Sequence, residues 1–502
     1  MKLLILIPLV SCLAIASTQA QSRAEIEAAL VKAVEFYHDQ VSNHGGYVYK
    51  YSSDLTLREA EGYPDMDTIW IQPPGTPAVG EAFLDAYDLT KNHACSIAAL
   101  NAARALVNTQ LHSGGWHYRG HLDGEKRGDF WYRRTTVGEL TNDPTPLGER
   151  SGAGGWTTWR QRKFGPQNQT ILDDDVTQAA LRCLMRVDAA LNFGDERIHE
   201  AVNYGLEALL GTQYPVGGWS GNFDRFPGDE NPSQASYPIK SATIPENPPK
   251  TWPKDYAGCY VLNDNLQANN LRTLLLAWKI YQKQEYLTAA KRAGDFLLKA
   301  QLPAPQRAWA QQYDANMQPV WDRPFEPPAV ASHESQQVIW AMLELIQVEK
   351  SEVLIQSVKD AHAYLKSSLL DDGTLARYYE LETNRPIFFT RGPGGKGHVM
   401  TYERANLASN YGWIFESELD AIESRINEIV ETAGVAKRGP DPKVVAAIIA
   451  SQDDRGAWME PAGPELWVRD SQGRKQLPED GVIQSATFIR NVEILCAALD
   501  SM

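Results

Sequence analysis

The chain has 502 residues, 43% of them hydrophobic, and sets 48 Lys and Arg against 63 Asp and Glu, a formal net charge of −15. So acidic a balance argues against nucleic acid and anionic membranes as partners, yet it allows a polyanionic substrate where a site gathers cations locally. Past the N-terminus no stretch approaches the roughly 20 consecutive apolar residues that cross a bilayer, so no transmembrane segment is expected.

The chain opens MKLLILIPLVSCLAIASTQA, one Lys, an apolar run and small residues leading to Ala20. This reads as a secretory signal peptide over residues 1–20, with the mature chain starting near Gln21 and exported to the periplasm or the medium. Leu9 to Cys12 also resembles a lipoprotein box, which would anchor the protein through Cys12. The apolar run continues through Ile15, which favours ordinary cleavage. The four later cysteines, Cys95, Cys183, Cys259 and Cys496, lack metal-ligand spacing and read as small buried hydrophobes.

In chain order, helical runs end in one recurring way. VEFYHDQVSNHGGYVY (34–49) is a loose copy; VNTQLHSGGW (107–116), LGTQYPVGGW (210–219) and IASQDDRGAW (449–458) are close ones, and LLKAQLPAPQRAWAQQY (297–313) has a longer turn. The starts of the hairpins repeat too. LDDDVTQAALRCL (172–184) and LNDNLQANNLRTL (262–274) align at an offset of 90, pairing Asp174 with Asp264, and SHESQQVIWAML (332–343) is a weaker relative. An amphipathic hairpin cannot bury its own apolar face, so repeats of this kind stack. The expected fold is all-α, an α/α toroid of helical hairpins forming a single domain over residues 21–502. Two long loops, 117–172 and 222–260, precede acidic helix starts and are placed over the same rim.

Three constellations carry chemistry. Asp173, Asp174 and Asp175 stand before a helix, where one Asp serves as an N-cap. Three together repel unless solvent or a cation relieves them, and with Asn263-Asp264-Asn265 they supply the hard oxygen ligands that Ca²⁺ takes. Capping and a cation site both fit the aspartates. Arg323 and Glu326 lie in an aromatic, Pro-rich loop, AWAQQYDANMQPVWDRPFEPPAVASHES (308–335), suited to pairing with a carboxylate ligand. Arg377, Arg385, Arg391, Lys396 and Arg404 form a basic run in LARYYELETNRPIFFTRGPGGKGHVMTYERANLASNYGW (375–413), a plausible anion site in so acidic a chain. Serine-nucleophile, zinc and P-loop signatures are missing.

Together AQQYDANMQPVWDRPFEPPAVASHES, YELETNRPIFFTR, ILDDDVTQAALRCLMRV and TQYPVGGW resemble the pectate lyases of polysaccharide lyase family ten, over most of residues 60–415. The resemblance implies a Ca²⁺-assisted β-elimination within an acidic polysaccharide such as polygalacturonate, by a monomeric enzyme with an arginine base. It places Asp173 and Asp264 at the family's site aspartates, with Asp174 beside them on the metal. Arg323 is implied to bind a substrate carboxylate, and Arg385 in T-N-R-P to be the base, with Arg391 as the alternative. Arg377 and Lys396 of the basic run and Trp219 of the repeated turn complete the expected substrate-binding set. The chain departs from the family pattern in D-D-D-V-T and in Y-E-R-A-N, which leaves the exact polysaccharide open.

Two other readings fit the same residues. One is glycoside hydrolysis on a toroid, with Asp174 and Asp264 as acid and base. The other is a non-catalytic glycan-binding toroid in which Trp116, Trp156, Trp159 and Trp219 form a sugar platform.

Overall fold

The computed structural model describes residues 21–134, 139, 167–224, 226, 234–254, 258–431, 439–464, 466–470 and 472–502. Helices carry the architecture: α1 (Arg23–Phe36), α2 (Thr76–Thr90), α3 (His93–Asn108), α4 (Val176–Ala190), α5 (Glu196–Gly211), α6 (Leu266–Tyr281), α7 (Gln284–Ala300), α8 (Ser332–Val348), α9 (Glu352–Ser367), α10 (Leu419–Glu431), α11 (Pro442–Ala450) and α12 (Ser485–Asp500). Neighbouring pairs α12–α2, α2–α4, α4–α6, α6–α8 and α8–α10 pack in sequence as an inner ring, and the remaining helices lie outside it. The fold is an α/α toroid.

Burial patterns explain which helix goes where. Helix α4 buries residues almost all round, from Val176 through Gln178 and Leu181 to Val187, as a helix packed on several sides must. Helix α5 buries only a stripe, Ile198, Ala201, Val202, Gly205, Leu206 and Leu209, and turns its other face to water. Capping follows the same division except at the outer helix α7, which starts at Lys283 without a side-chain cap. The outer helices α1, α3, α5, α9 and α11 begin at Ser22, Asn92, Asp195, Ser351 and Asp441, whose side chains accept backbone N–H bonds. The inner helices α2, α4, α6, α8 and α12 have no side-chain cap; α8 and α12 start straight out of short strands, and α4 and α6 out of a three-residue turn just past one.

The repeated turn is built one way throughout. Gln110, Gln213, Gln301 and Gln452 each donate from Nε2 to a carbonyl of their own turn and to a carbonyl of the next outer helix, Ala201, Ala289, Ser357 and Ala29 respectively. Trp116, Trp219, Trp309 and Trp458 donate from Nε1 to Leu106, Leu209, Leu297 and Ile448 of the preceding helix. Gly217, at φ 107°, meets the Arg292 carbonyl where any Cβ would stand, so this close approach requires glycine. A sixth turn, too diverged to be seen in the sequence, lies at 370–375: Leu370 N–H bonds Thr374 O as Tyr214 bonds Gly218, and Leu375 takes the Trp place.

The ring closes through the chain's two ends. Gln452 after α11 bonds Ala29 of α1, and α1 packs on α12, so the first helix is the outer partner of the last. A six-stranded antiparallel sheet, in the order Met459–Glu460, Val482–Gln484, Lys50–Ser52, Arg58–Glu59, Val468–Arg469 and Lys475–Gln476, ties the same ends together. A four-stranded sheet joins His398–Thr401, Pro386–Arg391, Tyr378–Glu380 and Ala329–Ala331. Among the described residues the four cysteines are unbridged, three of them buried. Of the expected loops, 117–172 contains the strand Arg119–His121, while residues 140–166 lie outside the described residues. Among the described residues no helix is long and apolar enough to cross a membrane.

Candidate active site

Five of the chain segments leading into inner helices are bonded to the residue two past the Trp position of a repeated turn. Ile71 donates to Tyr118 O, Leu172 to Gly221 O, Leu262 to Gln311 O, Ser332 to Arg377 O and Ser485 to Tyr49 O. Tyr49, Tyr118, Gln311 and Arg377 therefore occupy one repeat position on one rim, together with the uncapped starts of the inner helices. Those starts turn positive helix ends toward the rim and favour anions there.

Two of these starts carry the acidic residues. Asp174 and Asp175 adopt φ 53° and 59°, and Asp264 and Asn265 adopt 49° and 64°, a paired left-handed turn repeated at the same offset of 90. Asp and Asn are the non-glycine residues that tolerate this region best. The expectation that one aspartate caps α4 is corrected here. A cap needs extended backbone so that its side chain can return to the helix N–H groups, and the left-handed Asp175 makes no such bond. Asp175 instead grips Arg182 with both oxygens, at 3.0 and 2.6 Å.

With Asp175 so occupied, Asp173, Asp174 and Asp264 are left facing one another, with one oxygen from each within 4.8 Å of the others. Burial first, then the neighbouring carboxylates, raise all three: Asp174 to about 6, Asp264 to about 7 and Asp173 well above the usual range. Asp173 Oδ1 and Asn265 Oδ1 are buried without a hydrogen-bond partner. Hard oxygen donors, unmet lone pairs and mutual repulsion together fit a divalent cation of the Ca²⁺ type.

Two arginines balance this charge, each tied to a buried glutamate. Arg323, 46% exposed, donates from Nε to Glu326 Oε2 at 2.6 Å and from Nη2 to Glu326 Oε1, while Glu326 is 1% exposed. Arg377, 6% exposed, donates from Nη2 to Glu334 Oε1 at 2.9 Å. Burial opposes the charge of Arg323, but Glu326 outweighs it and raises the guanidinium further above its ordinary value; Glu334 does the same for Arg377. Arg323 acts electrostatically on all three aspartates, whereas Arg377 acts on Asp264.

The residues that join these pairs were missed in the sequence. Tyr411 donates to Glu326 Oε1 at 2.7 Å, accepts from Arg323 Nη2 at 3.3 Å and lies 4.1 Å beneath the Arg377 guanidinium. Gln311 Nε2 donates to Asn263 Oδ1, Glu334 Oε1 and the Tyr411 hydroxyl, and its own Oε1 accepts from Tyr378. Asn263 in turn donates to Asp264 Oδ2 at 2.6 Å. Glu61 and Tyr118 flank Asp174, the first by charge and the second by a hydrogen bond. Gln311 stands in the recognised A-Q-Q-Y and Tyr411 in the quoted S-N-Y-G-W, but neither is ionic at neutral pH, so the charge pattern did not mark them.

The remaining expected residues fall elsewhere. Trp219 and Trp116 are fully buried, with their N–H groups spent on helix carbonyls, so neither has a face to offer a sugar; Trp156 and Trp159 lie outside the described residues. The Arg385 guanidinium lies 3.4 Å from the Tyr402 ring, on an exposed turn beside Glu380 rather than against the aspartates. Tyr402 holds it there as a cation–π partner. Arg391 and Lys396 are exposed at the ends of a glycine-rich hairpin. Arg391 pairs across the strands with His398, whose ring lies 4.4 Å from Phe325, the second neighbour of Arg323.

Residues 149–376 match the family described as pectic acid lyase. Among solved structures, a family 10 polysaccharide lyase from Cellvibrio cellulosa is 19% identical, covers 70% of this chain and 97% of its own, and has a TM-score of 0.44. A mutant of the Cellvibrio cellulosa family 10 lyase in complex with trigalaturonic acid is 17% identical, covers 71% and 99%, and has a TM-score of 0.42. A cellobiose 2-epimerase from Spirochaeta thermophila is 12% identical over 95% of this chain and 96% of its own, with a TM-score of 0.49. Among curated proteins no sequence matches.

Proposed function

We propose, from the match of residues 149–376 to the family described as pectic acid lyase, that the chain is an exported enzyme cleaving polygalacturonate or a related polyuronate by β-elimination. The observation that carries this reading is the facing of Asp173, Asp174 and Asp264 by Arg323, which sets a cation site and a guanidine on one rim. Elimination needs both. Loss of the proton at C5 of a uronate puts charge onto the adjacent carboxylate, and fixed donors aimed at that carboxylate stabilise the enolate-like intermediate.

Asp173, Asp174 and Asp264 would hold Ca²⁺, assisted by the unpartnered oxygen of Asn265. When bound, the cation would supply positive charge to the uronate carboxylate and offset the carboxylate field that now favours a protonated Arg323. Arg377, fixed by Glu334 and stacked on Tyr411, binds and orients a substrate carboxylate. Arg323 replaces Arg385 as the nominated base. Glu326 and Tyr411 occupy its Nε and Nη2, and among the described residues Nη1 has no hydrogen-bond partner. The C5 proton passes to this guanidine as the C5 electron pair forms the C4=C5 double bond and the C4–O4 bond breaks. The leaving oxygen takes up a proton, giving one unsaturated end and one new reducing end.

The test is the rise of absorbance at about 235 nm, the unsaturated-uronate band, on polygalacturonate with Ca²⁺ and with chelator. A gain that chelator abolishes is expected; no gain on any polyuronate sinks the reading. Hydrolysis is the less suited alternative. Its paired carboxyl groups stand roughly 5 to 9.5 Å apart, whereas one oxygen from each of these three carboxylates lies within 4.8 Å of the others, as ligands of one cation do.

A further inference from the structure

The rim station beside the aspartates lies outside the region matched to the family. Ile71 and Gln72 N–H both donate to Tyr118 O, at 2.8 and 3.4 Å, as Leu172 and Asp173 do to Gly221 O and Leu262 and Asn263 to Gln311 O. Thr76 Oγ1 then accepts from Tyr47 N–H as Thr177 Oγ1 accepts from Trp116 N–H. Gln72 therefore stands before α2 where Asp173 stands before α4, and these two helices are neighbours in the inner ring.

The two flanks of the aspartates differ in kind. Toward α8 lie Arg377 and Arg323, which act on Asp264. Toward α2 lies Glu61. Gln72 donates from Nε2 to Glu61 Oε1 at 3.4 Å and accepts from Trp70 Nε1 at 3.3 Å, and Tyr49 packs 5.8 Å from Trp70. Tyr118 hydrogen-bonds Asp174, and the charge of Glu61 reaches Asp174, Tyr118 and Tyr49 alike. Glu61 is exposed, and among the described residues its carboxylate makes no ion pair, although Arg119 stands exposed beside Gly62. A carboxylate, an amide and phenol hydroxyls offer hydrogen bonds to sugar hydroxyls, and tyrosine rings offer an apolar face. The same carboxylate repels an acidic sugar and spares an uncharged one.

We propose that Glu61, Gln72, Tyr49 and Tyr118 form the sugar subsite next to the cation site, and that it takes a ring without a free carboxylate. Glu61 is the specificity-determining residue, excluding a charged uronate there. The ring is a neutral sugar or a methyl-esterified uronate, and its place in a uronate-containing chain rests on the polyuronate reading above.

The experiment compares polygalacturonate, partly methyl-esterified polygalacturonate and a chain alternating galacturonate with rhamnose. Each is measured by kcat/KM in Ca²⁺, and by retention of the full chain in gels containing the polymer and chelator, where nothing is turned over. The unaltered chain should prefer one of the two mixed polymers to polygalacturonate, and which one separates the ester from the neutral sugar. Glu61→Gln is expected to raise both measures about tenfold on polygalacturonate and to leave them unchanged on the preferred polymer. Glu61→Lys should raise them further, and Glu352→Gln, an equal change of net charge on the outer helix α9, should move neither. Polygalacturonate preferred by the unaltered chain, no response to Glu61→Gln, or an equal response to Glu352→Gln would overturn the proposal. A loss of Ca²⁺ affinity of about tenfold or more in Glu61→Gln, read by calorimetry, would overturn it too, because Glu61 would then be a ligand of the cation. Retention shifting as expected without turnover of any polymer would sink the lyase reading and leave this one standing.

Discussion

Arg323 and Arg385 carry the same guanidinium in neighbouring loops, and what sits beside each separates them. Glu326 and Tyr411 hold Arg323 against the acidic cluster, while Tyr402 holds Arg385 on an exposed turn. Replacing Arg323 by Ala removes the group that takes the C5 proton and is expected to lower kcat by about 10²–10⁴-fold, read as the initial rate of absorbance gain on polygalacturonate. Arg385→Ala should leave kcat near that of the unaltered chain; the reverse ranking would return the base to Arg385. Tyr411→Phe keeps the ring beneath Arg377 but removes the bond to Glu326, so it is expected to lower kcat about tenfold by loosening Arg323, a charged hydrogen bond being worth about 1.5–3 kcal/mol. Equal kcat for Tyr411→Phe and the unaltered chain would show that Glu326 alone positions Arg323. At this scale the sequence was legible where charge marks a residue. It failed at Gln311 and Tyr411, because a neutral side chain acquires its role only from the groups that the fold brings to it.

At the scale of the element, the paired left-handed turns at Asp173–Asp175 and Asn263–Asn265 decide how the rim responds to pH. The repeat at an offset of 90 was readable, whereas the turn was not: a sequence of three aspartates before a helix looks like a cap, and only the backbone shows Asp175 turned to Arg182. Burial and neighbouring carboxylates raise Asp264 to about 7 and Asp174 to about 6. Between the unfolded value of about 3.9 and these folded values, the native state binds more protons than the unfolded one. The protonated carboxyls therefore contribute stability that is full at low pH and lost as pH rises through about 6 to 7. Cation-free protein should accordingly show a falling Tm from pH 5 to pH 8. Ca²⁺ must displace those protons, so at pH 8 and 100-fold above Kd it is expected to restore about 2.7 kcal/mol, with much less gained at pH 5. Asp264→Asn should raise the cation-free Tm at pH 8 and shrink the Ca²⁺ increment, both measurable by calorimetry. A Ca²⁺ increment independent of pH would place the ion elsewhere.

Across the whole molecule, the toroid was foreseen from five turn copies, but the contacts that close it were not, since the sixth turn has Leu375 for Trp and the closing contact joins residues more than 400 positions apart. That closure bears on whether residues 21–502 behave as one cooperative unit. Gln452 bonds Gly456 and Ala29, and Gln213 bonds Gly217 and Ala289, so the two glutamines do the same work in opposite parts of the ring. Each substitution by Ala strands two carbonyls and is expected to cost about 1–3 kcal/mol, and the double variant should lose the sum, because the sites share no partner. If the ring unfolds as one body, both variants shift a single urea transition to lower midpoint with unchanged slope. A separate C-terminal unit would give a second transition, moved by Gln452→Ala and untouched by Gln213→Ala. Catalytic rates of both variants should match the unaltered chain below the transition, since neither glutamine touches Asp173, Asp264 or Arg323. Stability and chemistry thus separate by position along the hairpin: the turn interior holds the ring shut, and the residue two places past its Trp position stands on the rim with the aspartates.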